Sequence, residues 1–278
     1  MDYNTIDAHQ HFWQFDPVRD SWINEEMAII QHDFLPEQLE RILQQNGIDG
    51  SVVVQSDQSE RENEFQLNNA AQHDFIRGVV GWVDLQAADI EDKLSYYQQF
   101  KKLKGIRHVL QGEPQRDLML QPAFKNGISL LNKYGFTYDV LIFPDQLKYA
   151  AQVAAAFPDQ PFVINHIAKP GIKDGLIGNW KKDIFSAAAN KNMFCKISGM
   201  VTEADWKKWS PEDFTPYLDT IVQAFGTDRI MYGSDWPVCL VAADYTIMKQ
   251  IVDDYFSKFS ANEQAAFYGK TATAFYRL

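Results

Sequence analysis

Pro36-Glu37-Gln38-Leu39-Glu40-Arg41-Ile42-Leu43-Gln44-Gln45-Asn46-Gly47 leads, after Ile48-Asp49, into Gly50-Ser51-Val52-Val53-Val54-Gln55-Ser56. The stretch changes period midway. Leu39, Ile42 and Leu43 recur at the spacing of one helix face, Pro36 opens the helix and Gly47 stops it. The valine run that follows is continuous rather than alternating, as in a parallel strand covered on both faces. A helix handing over to a buried strand through a short turn is half of a βαβ unit.

The same handover recurs along the chain. Strands are predicted at 5–11, 50–56, 76–85, 103–110, 136–142, 161–167, 192–199 and 229–236. Helices are predicted at 36–46, 60–73, 90–100, 123–134, 146–157, 180–190, 212–225 and 244–256, with a last helix at 261–275. The first strand is the weakest in composition and is included for the histidines it carries. Eight alternations with right-handed crossovers close into a ring, so the expected fold is α/β: a single (β/α)8 TIM-like barrel with an extra C-terminal helix. No Ser/Gly/Pro-rich linker divides the 278 residues, so one domain is expected over 1–278. The connections after strands one, four, six and seven are the long ones, and in a barrel they lie at the end where active sites are built. The longest, 12–33, carries Trp13, Phe15 and Trp22, suited to covering a pocket.

Composition narrows the function classes. The chain is 46% hydrophobic and 23% charged, ordinary for a packed globular protein. Lys and Arg number 26 against 37 Asp and Glu, a net charge of −11 that repels a nucleic-acid backbone and an anionic membrane surface. No apolar run reaches the roughly 18 residues of a spanning helix. The start, Met1-Asp2-Tyr3-Asn4, has neither the basic nor the apolar segment of a signal peptide. Cys195 and Cys239 form no close pair and read as buried free thiols in a reducing compartment, the cytoplasm.

Chemistry gathers at predicted strand ends. His9-Gln10-His11 ends the first strand, and alternation puts both imidazoles on one face, with Asp7 behind them. His108 ends the fourth strand, His166 the sixth, and Asp235 the eighth. Polar groups ending otherwise apolar barrel strands converge on one mouth, in a pattern suited to a metal ion or a charge-stabilising set. Ser198 ends the seventh strand, but no Gly-x-Ser-x-Gly elbow surrounds it, which argues against a serine hydrolase.

Ile6-Asp7-Ala8-His9-Gln10-His11-Phe12-Trp13, Lys104-Gly105-Ile106-Arg107-His108, Asn165-His166-Ile167-Ala168-Lys169-Pro170 and Tyr232-Gly233-Ser234-Asp235-Trp236-Pro237 resemble the amidohydrolase superfamily. Within it they resemble the sugar-lactone hydrolase branch. Gly269-Lys270-Thr271-Ala272 and Phe275-Tyr276-Arg277-Leu278 fit the same pattern, so the resemblance spans essentially the whole chain. Two positions depart from the binuclear members: strand four offers Arg107-His108 instead of a bridging Lys or Glu, and strand five offers Tyr138-Asp139 instead of a His.

The resemblance implies water attack on the ring carbonyl of a small-molecule sugar-acid lactone. Asp235 is the expected general base. His9, His11, His166 and Asp235 are the expected ligands of one divalent ion, zinc by ligand type. The wider group also contains metal-independent lactonases, in which His9, His11 and His166 would donate to the developing oxyanion. His108 is expected to donate to the carbonyl or a hydroxyl. Arg107 reads either as a substrate contact or as part of a structural ion pair, and Lys169 either as a pocket cation or as a surface lysine. Trp13, Tyr138, Trp206 and Trp236 offer aromatic faces to a sugar, or pack in the core or lid. Two rivals are a decarboxylase or dicarboxylate-lactone hydrolase on the same scaffold, and a sugar-binding barrel without catalysis. No pattern here reports the oligomeric state.

Overall fold

The computed structural model describes residues 3–278. Met1 and Asp2, part of the reading of the chain start and of the expected 1–278 domain, lie outside the described residues. Eight parallel strands follow chain order around one sheet: β1 (Ile6–Gln10), β2 (Gly50–Val54), β3 (Ile76–Gly81), β4 (Leu103–Val109), β5 (Thr137–Leu141), β6 (Phe162–Ile164), β7 (Met193–Ile197) and β8 (Ile230–Tyr232). A bridge between Gln10 and Trp236 closes the ring, with the His11 N–H donating to the Trp236 carbonyl at 2.7 Å.

Helices α1 (Pro36–Gln45), α2 (Glu60–Gln72), α3 (Ile90–Tyr97), α4 (Pro122–Leu131), α5 (Leu147–Ala156), α6 (Gly178–Ala188), α7 (Pro211–Phe225) and α8 (Tyr245–Phe256) surround the sheet. Most local stop and start signals hold. Pro36 and Pro211 sit in the first turns of α1 and α7, and the Ser210 and Asp213 side chains form the capping box of α7. Several strands are shorter at their C-terminal ends than predicted. There the chain stops pairing and turns to build the mouth, most abruptly after β6.

The predicted helix at 261–275 is three pieces: α9 (Ala261–Ala265), a π-helical turn (Ala266–Lys270) and α10 (Thr271–Tyr276). The turn carries Gly269 against the start of β1, where a Cβ would lie 1.9 Å from the Asn4 carbonyl oxygen. The segment after α10 folds under the N-terminal ends of the strands, and Lys104 Nζ donates to the Arg277 carbonyl at 2.8 Å. From α10, the Tyr276 hydroxyl reaches into the barrel and donates to Asp139 Oδ1 at 2.8 Å.

Two apolar shells hold this arrangement. Ile6, Ala8, Val52, Val54, Val80, Val163 and Met231 fill the inside of the barrel with Phe275 and Tyr276, while Val53, Val79, Ile106, Val140 and Ile164 face the helices. Each buried Val, Ile, Met or Phe side chain among them contributes about 1.5–3 kcal/mol by leaving water. One interior layer is polar. Asp139 and Lys196, both 0% exposed, pair at 2.6 Å, and Asn165 donates to Asp139 Oδ2 at 2.9 Å.

β1 is irregular, with a register shift between Asp7 and Gln10. Ile6 and Ala8 face inward, yet His9 and His11 do as well. Asp7 therefore does not sit behind the histidines as strict alternation predicts. It lies on the outer side, where it accepts from the Ser234 N–H at 2.9 Å and the Tyr245 hydroxyl of α8 at 3.1 Å. Burial pushes its carboxyl up to about 6, against those donors. Among the described residues, no helix is long and apolar enough to cross a membrane. Cys195 and Cys239 are both buried and unpaired.

Candidate active site

The β1 irregularity is accommodated from the neighbouring strand. Gly233 follows β8, and a Cβ there would stand 2.7 Å from His9 Cβ. Glycine at this position lets the His9 backbone approach and the ring turn inward. After β6 the chain makes a left-handed turn through four consecutive residues, with φ of 53°, 47°, 60° and 49° at His166, Ile167, Ala168 and Lys169. Such a conformation costs roughly 1–2 kcal/mol per residue for side chains with a Cβ. A tight turn brings positions i and i+3 to one side. Both His166 and Lys169 accordingly line the same cavity. Asp235 is also left-handed, with φ of 59°. Strain of this kind concentrates at functional sites.

At the C-terminal mouth, four side chains meet. His9 Nε2 and His11 Nε2 are 3.3 Å apart, and Asp235 Oδ1 lies 3.4 Å from His11 Nε2, 3.7 Å from His166 Nε2 and 3.9 Å from His9 Nε2. Asp235 Oδ1 is buried and has no hydrogen-bond partner. His11 Nδ1 donates to the Val54 carbonyl at 2.7 Å, which leaves its Nε2 lone pair facing the carboxylate. His166 Nδ1 is held by the Ser198 hydroxyl at 2.9 Å. Burial keeps the imidazoles neutral: it drives His9 well below its ordinary value, lowers His11 and takes His166 down to about 3. Burial pushes Asp235 up, yet its carboxyl lies below its ordinary value, with the Lys169 cation among the groups that outweigh burial, so it is ionised at neutral pH.

Neutral imidazoles around one orphaned carboxylate oxygen form a donor set for a divalent ion. Tetrahedral bonds of about 2.0–2.1 Å place ligand atoms roughly 3.3 Å apart. The observed separations of 3.3–3.9 Å are close to that value. His9, His11 and Asp235 meet the geometric requirement as a group, and His166 Nε2 borders it.

The cavity above holds about 320 Å³ and is lined by His11, Arg107, His166, Lys169 and Asp235, with Arg19 and Trp22 from the long β1 loop. Arg107, not His108, turns into it. Arg107 is buried, donates to the Gln55 backbone and side chain, and leaves Nε without a partner. Burial lowers it to about 10, against the support of Asp139 and Asp235, so it remains a cation at neutral pH. His108, one residue on, points outward. It meets Glu113 at 2.8 Å and packs edge-on against Phe124 of α4. Lys169 lines the cavity and pairs with Glu203 at 3.3 Å.

Three predicted aromatic contacts lie elsewhere. Tyr138 is on the outer face of β5 between Phe124 and Phe162. Trp236 packs on Phe12 and Phe34. Trp13 donates to the His32 carbonyl at 2.9 Å and supports Trp22 from behind, so it shapes the long loop while Trp22 faces the cavity. The other aromatic candidate, Trp206, donates to the Thr202 carbonyl and does not line the cavity. Sequence reading missed Asp139, Lys196, Asn165 and Gln55. The signal for the first two was present: each is a charged residue inside an otherwise uncharged strand.

Gly199, with φ of 62°, touches the His166 ring, and a Cβ there would stand 2.6 Å from His166 Nδ1. Gly199→Ala is therefore expected to displace His166 and lower turnover by about 10²-fold, the usual cost of a misplacement near 1 Å. Thermal unfolding of the variant should move far less than its rate. A rate within threefold of wild type would mean that His166 has no positional role.

A (β/α)8 barrel with imidazoles from β1 and the turn after β6, and a carboxylate after β8, defines a barrel enzyme with its reacting groups at the strand ends. The family model described as Amidohydrolase matches residues 6–278, and the chain belongs to that family. A protein from Burkholderia multivorans named L-fucono-1,5-lactonase is 34% identical, over 98% of this chain and 96% of its own length. One of the same name from Burkholderia ambifaria is 32% identical over 98% and 95%. A crystal structure of an amidohydrolase from Burkholderia multivorans with bound zinc superposes with a TM-score of 0.96, at 34% identity and 99% coverage of both chains.

Proposed function

We propose that this protein, acting as one barrel domain in the cytoplasm, opens the ring ester of a sugar-acid lactone. The observation that carries the reading is the convergence of His9, His11, His166 and ionised Asp235 beneath a cavity that also receives Arg107. The relatives named as lactonases support the substrate class.

Asp235 takes the proton of a water placed over the carbonyl carbon as the water oxygen bonds to it. Arg107 lines the cavity as a cation and stabilises the negative charge that develops on the carbonyl oxygen. When the ring C–O bond breaks, protonated Asp235 returns its proton to the leaving ring oxygen. The product is an open hydroxy acid, which releases a proton to solvent. His9, His11, His166 and Asp235 would hold one divalent ion, zinc by its donor set, which would act as a Lewis acid on the carbonyl. Lys169, kept in place by Glu203, is positioned to meet a substrate hydroxyl.

A dicarboxylate substrate fits less well. Arg19 is paired with Asp20 and Lys169 with Glu203, and Asp57 adds a negative charge to the lining. A pH-indicator assay over five- and six-membered sugar lactones tests the proposal. Strong acceleration with one sugar configuration is expected. Rates no faster than spontaneous opening across the panel, or release of carbon dioxide from an unsaturated acid, would displace it.

For the ion, we expect about one zinc per chain by elemental analysis, lost in His11→Ala. Chelation should lower the lactone rate at least tenfold, with recovery on adding zinc. Protein free of metal by analysis and fully active would instead assign the three imidazoles as direct hydrogen-bond donors.

A further inference from the structure

We propose that Val109 and Leu141 form a specificity-determining wall that takes the methyl end of a 6-deoxy sugar lactone and disfavours the same lactone ending in hydroxymethyl. The inference rests on the lactone reading and names the substrate feature that the site selects.

The register of two strands places the wall. Arg107 pairs with Asp139 across β4 and β5, and Val109 pairs with Leu141. Side chains two residues apart share a face. Arg107 and Asp139 point into the barrel, so Val109 and Leu141 point the same way, two residues nearer the mouth and about 6–7 Å higher. Both line the cavity. Leu141 is 5% exposed and Val109 is half-buried, so the pair is a packed surface open on its inner side.

Its place in the ring matters as much as its chemistry. Strands follow the order one to eight around a closed barrel, so β4 and β5 stand across the mouth from β8 and β1. The wall therefore faces Asp235 and His11 from the far side of the cavity. A lactone whose carbonyl lies over Asp235 turns the rest of its ring, and the exocyclic carbon, toward that far side.

The neighbouring lining is polar and suits hydroxyls. Gln58 Oε1 accepts from the Val109 N–H at 2.7 Å, which fixes the side chain at the foot of the wall and leaves its amide protons free. Gln111 lines the same cavity. Ser56 and Asp57 complete a rim able to donate and accept. Against that rim, the paired Val109 and Leu141 side chains offer nothing to a hydroxyl. A hydroxymethyl group seated there would lose its water partners without replacement, whereas a methyl group loses none.

L-Fucono-1,5-lactone and L-galactono-1,5-lactone differ only by the hydroxyl on the terminal carbon, so their kcat/KM ratio reads the wall directly. Apolar pockets separate such pairs by about 10–100-fold, and a wild-type ratio of at least about 10 is expected. Val109→Thr keeps the shape and adds a hydroxyl; Leu141→Asn keeps the size and adds an amide. Each is expected to lower the ratio about fivefold or more, with the galactono rate falling less than the fucono rate. A merely structural role would lower both rates together. A wild-type ratio near one, or a ratio unchanged in both variants that still turn over, would overturn the proposal. Calorimetric binding of L-fuconate and L-galactonate gives the same comparison without turnover. A wild-type protein that opens no lactone of the panel defeats the lactone reading, and where neither of these two is opened the binding ratio still decides the wall: tighter fuconate supports it, equal binding overturns it.

Discussion

Asp235→Asn is expected to lower lactone turnover by about 10³-fold, within the 10²–10⁴ usual for a general base, while lactone binding stays within a few-fold of wild type. The substitution keeps the shape of a side chain that is 4% exposed and removes the proton acceptor. Asp235 holds its place through backbone contacts the change does not touch: its N–H donates to the His9 carbonyl at 2.8 Å, and its own carbonyl accepts from Cys239. Adding excess zinc separates two roles. If the carboxylate only held an ion, saturating metal would restore the rate. If it takes the proton of water, as the geometry supports, metal content recovers and the rate does not.

The second large effect falls beneath the site. Lys196→Met is expected to destabilise the protein by about 3 kcal/mol or more, because it leaves Asp139 charged and unpaired in the barrel interior. Both groups are 0% exposed. Burial pulls the lysine ammonium below its ordinary value, and Asp139 partly restores it. Asp139 would retain the Tyr276 hydroxyl and the Asn165 amide, which places the loss at the lower end of the range for a broken buried pair. A fall in Tm of about 6–12 °C is the corresponding reading. Lys196→Met combined with Asp139→Asn should recover part of that loss, since the stranded charge is gone. A single variant as stable as wild type would mean that the pair contributes nothing net. Lys196 Nζ also lies 3.4 Å from His9 Nδ1, so the same layer that stabilises the barrel supports the floor of the site.

The barrel was legible because its evidence is local and repeated. The valines of β2 after the helix α1 that Gly47 ends carry the same message as Phe162-Val163-Ile164 after α5. Strand ends were less legible. Nothing in the composition of His166-Ile167-Ala168-Lys169, which contains no glycine, announces four left-handed residues in a row, and contacts such as Gly199 against His166 accompany the turn.

The site divides along the same line. His9, His11, His166 and Asp235 come together because each lies at or just beyond the C-terminal end of a strand, and chain position alone identifies them. The choice between Arg107 and His108 depends on which face of β4 points inward, a parity set by pairing with β5. Sequence reading left that parity open and favoured His108. Asp7 was misplaced because the β1 irregularity breaks strict alternation between Ala8 and His9. The interior pair of Asp139 and Lys196 joins strands 57 residues apart, and no local pattern links them.

One event defines the reaction: oxygen from water bonds to the carbonyl carbon of a lactone seated over Asp235. The most direct measurement is turnover of L-fucono-1,5-lactone in ¹⁸O-water, under conditions where the enzyme outpaces spontaneous opening, with the label located by ¹³C isotope shifts. One ¹⁸O in the product carboxylate and none in its hydroxyls is the predicted result. Label in the hydroxyl derived from the ring oxygen, or no opening above the spontaneous rate, would contradict it.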